Sequence, residues 1–364
     1  MKVIAQTAAL QEALGLAGNI VATRTPKPVL LCVKLIAANK MLTMLATDLE
    51  VGCRFQIAAV QVEEEGEALV PADRLGGIVR ESSDESLTIE TDKEACVITG
   101  AGSRFRILGY DPGEYPAVSE FTEKGDFQVS ATVLSKMIGK TLFATAKAHS
   151  HYAISGVLWE AGGKKLQLVA TDGHRLAQAR GALAKSAAGD VTAIVPAKLM
   201  SLIQRIATNE ETLEVKVQEN QILVRAARVV LISTLVQGNF PKYGDVIPKE
   251  CSRKATVNAA QFEHRIRQAA LLTPEESHGV KLSFQQDKLT LSSRSPETGE
   301  AEVTCPIKLE GDPVDIAFNS TFLTDALRVA EVEEVSFEMN ASNKPAVLRA
   351  GNDFLYVLMP VDLG

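Results

Sequence analysis

The sequence predicts an α+β fold built three times over, each copy carrying two helices and a strand-rich remainder packed as antiparallel sheets. Three observations predict it. A pattern of about 120 residues recurs along the chain, too long for a solenoid unit and right for a duplicated domain. Each copy alternates strand-like runs with amphipathic helical runs. The chain also has 364 residues, 46% of them hydrophobic, which is more than one core usually organises.

Each copy opens with a short strand and an amphipathic helix: KVIAQTAALQEALGLAG from Lys2, FQVSATVLSKMIGKTLF from Phe127 and KATVNAAQFEHRIRQAALL from Lys254. A hydrophobic strand pair around a polar turn follows, at LTMLATDLEVGCRFQI from Leu42, LQLVATDGHRLAQAR from Leu166 and LTLSSRSPETGEAEVTCPI from Leu289. The first two share Ala-Thr-Asp at the turn. A further strand and helix come next, at ALVPADRLGGIV from Ala68, AIVPAKLMSLIQRIA from Ala193 and IAFNSTFLTDALRVA from Ile316. Val-Pro in two copies, and Asn319-Ser320 in the third, are helix-start signals. Alternating strands close each copy, which puts boundaries near Lys124 and Ser252 and domains at 1–124, 125–252 and 253–364.

Composition narrows the function. No segment approaches the uninterrupted apolar length of a membrane helix and MKVIAQTAAL lacks a signal-peptide core, so a cytoplasmic protein is expected. Cys32, Cys53, Cys96, Cys251 and Cys305 are scattered with no CxxC pair, so neither a disulfide framework nor a zinc site is expected, and no cofactor is implied. A formal net charge of −7 argues against a protein that coats nucleic acid with its whole surface, but not against one whose cations line a single wall.

The stretch around which the chain is organised is LVATDGHRLA, ending at Ala177. Leu166, Leu168, Val169 and Ala170 read as a strand that breaks at Thr171-Asp172-Gly173, where glycine supplies a backbone conformation denied to other residues. Asp172 is close enough in sequence to hold His174 or Arg175. As catalysis, Asp172 and His174 form an acid/base pair, yet no nucleophile or metal-ligand spacing accompanies them. As a binding surface, the turn is a polar rim beside an apolar floor, suited to a docked peptide. A metal-dependent nuclease using Asp48 and Asp172 is a rival reading, since carboxylates at strand ends can hold Mg²⁺. Against it, the third copy has Ser293 and Arg294 in that neighbourhood and no further carboxylates converge.

The helices are then read by face. Val133, Leu134, Met137, Ile138 and Leu142 gather on one side, while Lys136, Lys140 and Lys147 fall on the other without any Asp or Glu. Lys198 and Arg205 share a face of the helix from Ala197, and His264, Arg267 and Gln268 oppose Phe262 and Ile266. The helix after Pro71 shows Arg74 and Arg80. Gln11, Glu12 and Asn19 occupy the first helix's polar face, so basic character concentrates in the middle of the chain.

ATDGHRLA, with NFPKYGDVIP from Asn239 and the C-terminal YVLMPVDLG, closely resembles the bacterial DNA polymerase III beta subunit, the ring-shaped sliding clamp, and the resemblance runs from Met1 to Gly364. It implies three clamp domains forming half of a closed ring, completed as a head-to-tail homodimer around double-stranded DNA. Such a protein is a non-catalytic processivity factor that holds DNA topologically, without sequence readout. The implied partners are a clamp-loader ATPase, the replicative polymerase alpha subunit, and other polymerases or repair proteins with clamp-binding peptides, with no membrane involved. The implied DNA contacts are Arg74, Arg80, Lys136, Lys140, Lys147, Lys198, Arg205, His264 and Arg267 on the helices. Arg24 in RTPKPVL, and His149 and Tyr152 in AKAHSHYAISG, join them.

Carried over by motif, the partner pocket comprises Ile154, Thr171, Gly173, His174, Arg175, Leu176, Pro241, Val246, Val357, Leu358, Met359, Pro360 and Leu363. The ring seam sets Phe105 and Ile107 against Leu271 and Leu272, with Arg104 and Arg106 facing Glu297, Glu300 and Glu302. Asp245 and Asp362 stand where the family commonly has basic residues at the pocket rim. Sparse charge on the first and last helices also leaves room for a clamp-like regulator that binds clamp partners without encircling DNA.

Overall fold

The computed structural model describes residues 1–57, 60–92, 95–147, 153–208 and 210–363. The first copy runs β1 (Lys2–Gln6), α1 (Thr7–Ala17), β2 (Cys32–Ala38), β3 (Met41–Thr47), β4 (Val51–Ile57), β5 (Val60–Glu64), β6 (Gly66–Pro71), α2 (Ala72–Glu81), β7 (Ser86–Asp92), β8 (Ala95–Thr99) and β9 (Arg104–Leu108). The second runs β10 (Phe127–Ser130), α3 (Ala131–Thr141), β11 (Gly156–Gly162), β12 (Lys165–Thr171), β13 (Arg175–Lys185), β14 (Val191–Pro196), α4 (Ala197–Ala207), β15 (Thr212–Val217), β16 (Gln221–Arg225) and β17 (Val229–Thr234). The third runs β18 (Arg253–Asn258), α5 (Ala259–Ala269), β19 (Gly279–Phe284), β20 (Lys288–Ser295), β21 (Gly299–Pro306), β22 (Lys308–Glu310), β23 (Val314–Asn319), α6 (Ser320–Arg328), β24 (Glu334–Met339), β25 (Ala346–Ala350) and β26 (Phe354–Leu358). The repeated α+β plan expected from the sequence is the one observed.

Local chemistry explains the helix boundaries. Asn319 caps α6, its Oδ1 accepting from the backbone N–H groups of Thr321 and Phe322, and Asn258 caps α5 through Gln261. Pro71 stands just before α2, at its cap, where no backbone donor is needed. Each helix buries one stripe, such as Leu10, Ala13, Leu14 and Ala17 on α1.

Contacts divide the chain into two compact units, Met1–Thr132 with Ala184–Gly189 and Lys198–Leu235, and Val133–Leu183 with Asp190–Ala197 and Val236–Gly364. In the first, β6, β2, β3 and β4 continue antiparallel through the β4–β17 pairing into β16, β15 and β10. A separate sheet runs β5-β1-β7-β8-β9. In the second unit, β14, β11, β12 and β13 continue through the β13–β26 pairing into β25, β24 and β18. Its other sheet runs β21-β20-β19-β23. Neighbouring copies thus join edge to edge by the same device, which removes exposed strand edges at each join.

The smaller sheets end at β5 and β9 in the first unit and at β21 and β23 in the second. On β9, Arg104, Phe105 and Arg106 are exposed, but Ile107 is only 9% exposed and stands opposite Cys96 of β8. Ile107 lies two residues from Phe105 and so on the same face of β9, but it is covered where Phe105 is 42% exposed. Leu108, at 69% exposure, is the outward apolar residue that the sequence reading missed. Leu271 is 79% exposed, and Glu297, Glu300 and Glu302 are also exposed.

Candidate functional site

The turn between β12 and β13 is held almost wholly by its own side chains. Thr171 Oγ1 donates to the Arg175 carbonyl at 2.7 Å and accepts from Gly173 N, while Asp172 Oδ1 accepts from the backbone N–H groups of His174 and Arg175. Gly173 takes φ +91°, the left-handed region where a side chain would be strained. Asp172 therefore holds the His174 backbone and the Arg175 side chain. Its acceptor capacity goes into the turn, which removes the acid/base reading. Asp48, the other carboxylate of the nuclease reading, is used in the same way, by Glu50 N, Val51 N and Lys198 Nζ.

Beside this turn lies an apolar floor of Ala153, Leu158, Val169, Leu176, Ile194, Val347, Leu355 and Val357. Side chains alternate faces along a strand, so Leu176 and Val357, which pair across β13 and β26, share the floor. Arg175 and Leu358, paired in the next register position, take the opposite face. Both were expected in the pocket, and both are corrected: Leu358 is fully buried behind the floor. The Arg175 guanidinium is bound by Asp172 Oδ2 at 3.0 Å, Asp325 Oδ2 at 2.7 Å and the Phe143 carbonyl at 2.8 Å, and lies 4.3 Å from the Phe322 ring centre. Burial disfavours its charge. Tyr356 and the hydrogen bonds to Asp325, Tyr356 and Asp172 outweigh burial, so its pKa lies above arginine's ordinary range.

The C-terminal tail completes one rim. Met359 N donates to the His174 carbonyl at 2.9 Å and Val361 N to the Ala317 carbonyl, which keeps the apolar tail from fraying. Met359, 40% exposed, follows Val357 on the floor face. Leu363 packs on β19, where a Cβ added to Gly279 would meet its Cδ2 at 2.3 Å. Ile154 is buried beside Ala153, whose N–H donates to the Asn239 carbonyl.

The segment Asn239–Pro248 supplies the other rim, with Val246 at 46% exposure and Pro241 half-buried. Its anchor is Tyr243, which the sequence reading passed over. The phenol donates to Glu160 Oε2 at 2.6 Å and accepts from Gln167 Nε2 at 2.7 Å, and Arg180 Nε holds Gln167 Oε1 at 3.0 Å. Its ring packs on the floor with Val236, Phe240 and Ile247. Burial, reinforced by Glu160, pushes the phenol up to about 12. Asp325, Phe322 and Phe143 were likewise illegible as site residues, since each lies far from the turn in sequence, and Glu160 and Gln167 because their partner Tyr243 does.

The basic residues divide by environment. Arg24, Arg74, Arg80, Arg205, His264, Arg267, Lys136 and Lys147 are exposed. Lys136 lies 3.2 Å from Glu331, so its face is not purely basic. Lys140 corrects an expectation: it is only 6% exposed, its Nζ sits 2.7 Å from Asp353 Oδ2, and it lies near the Phe354 ring, so it cannot offer its charge outward. The residue at that helical position faces a strand that sequence periodicity alone could not locate. Lys198 is half-exposed, bonded to Asp48 and the Ile20 carbonyl. Arg74 lies beside Phe105 and Leu108 on β9. His149 and Tyr152 lie outside the described residues. Among the described residues no His, Cys, Asp and Glu cluster has metal-ligand geometry, and no helix is long and apolar enough to cross a membrane.

Fold and site together define a non-catalytic docking protein, with repeated α+β domains presenting an apolar groove between a rigid turn, a pinned linker and the chain's own tail. The descriptions DNA polymerase III beta subunit, N-terminal, central and C-terminal domain, match residues 1–119, 128–242 and 244–362. The beta sliding clamp of Chlamydia muridarum is 30% identical over 348 residues, covering 95% of this chain and 94% of that protein. The crystal structure of the Bacillus subtilis DNA polymerase sliding clamp superposes with a TM-score of 0.96 at 26% identity, covering 100% of both chains. That of the Pseudomonas aeruginosa sliding clamp bound to griselimycin gives 0.93 at 28% identity, also over 100% of both. The chain belongs to the DNA polymerase III beta subunit family, the beta sliding clamps, and is a non-catalytic processivity factor of DNA replication.

Proposed function

We propose that this chain encircles duplex DNA as a head-to-tail dimer and tethers the replicative polymerase, and other partners bearing short clamp-binding peptides, through the groove between His174 and Val246. The observation that carries the reading is the groove itself: an apolar floor, half-exposed Val246 and Met359 at its rims, and a turn fixed before any ligand arrives. Apolar floors with adaptable Met walls hold extended or turn-forming peptides of varied sequence. Pocket contact is assigned to Leu176, Val246, Val357 and Met359, with Thr171, Gly173, His174, Pro241 and Pro360 at the rim. Ile154 and Leu363 flank it. Exposed Arg24, Arg80, Arg205, His264, Arg267, Lys136 and Lys147 would meet phosphates loosely, as sliding demands.

The seam is assigned to β9 of one copy against the third domain of another, with Phe105 and Ile107, which share a strand face, meeting Leu271 and Leu272, and Arg104 and Arg106 facing Glu297, Glu300 and Glu302. Domains of 1–124, 125–252 and 253–364, a cytoplasmic location and loading by a clamp-loader ATPase complete the proposal. Loading onto nicked circular DNA with a cognate loader tests it: the protein is expected to stay on the circle and to leave when the circle is linearised. Equal retention before and after linearisation would sink the topological reading.

A further inference from the structure

We propose that the first copy carries a second peptide groove, kept filled by the chain's own segment Tyr110–Glu120. The proposal rests on reading the Thr171–Met359 groove as a peptide site. The turn between β3 and β4 reproduces that of the second copy bond for bond. Thr47 Oγ1 donates to the Val51 carbonyl and accepts from Leu49 N, and Asp48 Oδ1 accepts from Glu50 N and Val51 N. Leu49 even takes φ +81°, beside +91° at Gly173. A leucine held in that strained region, and 51% exposed, marks a geometry the surrounding structure enforces.

The strands behind the turn are also in equivalent register. Leu158 pairs with Val169 and Ile194 in the second copy, and Lys34 with Leu45 and Leu69 in the first. Leu176, opposite Thr171 and Val357, corresponds to Gly52, opposite Thr47 and Ile232. The floor has therefore lost its leucine, and the space is taken from above. A Cβ built on Gly52 would come 3.2 Å from Val118 Cγ1, and Val118 packs with Cys32, Leu45, Leu69 and Tyr115.

The segment is fastened along this floor as a docked peptide would be. Lys34 Nζ donates to the Pro112 carbonyl at 3.1 Å, and Thr47 N to the Tyr115 hydroxyl at 3.0 Å, which in turn donates to the Cys32 carbonyl. Arg54 donates to the Val118 carbonyl at 3.1 Å and pairs with the Glu120 carboxylate. An aliphatic side chain over the floor, and a carboxylate two residues later held by an arginine, define the ligand class: a short extended peptide with an aliphatic anchor followed by an acidic residue. A tethered occupant acts at an effective concentration on the order of millimolar, enough to exclude free peptides of ordinary affinity.

The test uses the full-length chain, a fluorescent peptide YPAVSEF copied from Tyr115–Phe121, and a Gln- and Leu-bearing anchor peptide for the main groove. In wild type the YPAVSEF peptide is expected to bind at least tenfold more weakly than in Val118→Gly. The gain should persist when the anchor peptide saturates the main groove. Tyr115→Phe, which takes the hydroxyl bonds to Thr47 N and the Cys32 carbonyl from the tethered segment but leaves them to the peptide's own tyrosine, should give a gain in the same direction, and it decides the matter if Val118→Gly does not fold. A folded variant that binds YPAVSEF no better than wild type, or a gain abolished by the anchor peptide, overturns the proposal. Failure of the anchor peptide to bind wild type would instead overturn the main-groove reading.

Discussion

Asp325→Ala tests whether the groove turn is braced from behind. Asp325 holds Arg175 Nη1 at 2.7 Å, and the two side chains are 20% and 9% exposed. Removing one partner of a well-buried pair costs about 3–5 kcal/mol, and a charge-assisted hydrogen bond contributes about 1.5–3 kcal/mol. Arg175 keeps Asp172, the Phe143 carbonyl and the Phe322 face, so the lower range applies, about 2–3 kcal/mol. At about 2–4 °C per kcal/mol for domains of this size, the melting temperature should fall by roughly 4–12 °C. Asp325→Asn keeps an acceptor and should lose about half as much. Anchor-peptide affinity, measured by fluorescence titration, should drop about threefold to tenfold, because the turn carrying Gly173 and His174 loosens. Scanning calorimetry that shows no shift beyond about 1 °C would refute the brace, since the pair would then contribute no more than an exposed one.

Lys136→Glu with Lys147→Glu should impair retention on circular DNA without changing the melting temperature, whereas Lys140→Ala should destabilise the fold by removing a buried side chain that packs by the Phe354 ring, as calorimetry and loading assays would separate. Phe105→Asp or Leu271→Asp should shift light-scattering mass from dimer to monomer, because either buries an unpaired charge in the proposed seam. Tyr243 titrates at about 12 in the folded chain, above a free phenol near 10, so its contribution is full below about pH 10 and is lost as pH rises toward 12. Tyr243→Phe should therefore weaken peptide binding at neutral pH and flatten the alkaline loss of stability between those values. Asp245→Arg should speed association of peptides with acidic flanks at low salt, an effect that added salt removes; identical association rates would dismiss rim selectivity.

The sequence by itself determined the repeat, the helix and strand types, and the groove turn. Those features are local: Thr171, Asp172 and Gly173 carry their own hydrogen-bond partners and backbone preference, so the backbone path of the turn is written within ATDGHRLA. The motif likewise brought Val357 and Met359 to the pocket, though it could not set Leu358 apart from them. Only the tertiary structure decided which cations are spent inside the protein. Lys140 and Arg175 look like outward charges in a one-dimensional reading. Their partners Asp353 and Asp325 lie 213 and 150 residues away, and no local pattern encodes such a meeting. The same holds for the cover over Ile107, which shares its strand face with the exposed Phe105, and for Tyr243, fixed by Glu160 across 83 residues. The filled groove of the first copy is the clearest case. Gly52 and Val118 carry no signal in sequence, and become vacancy and occupant only when the linker lies across the floor.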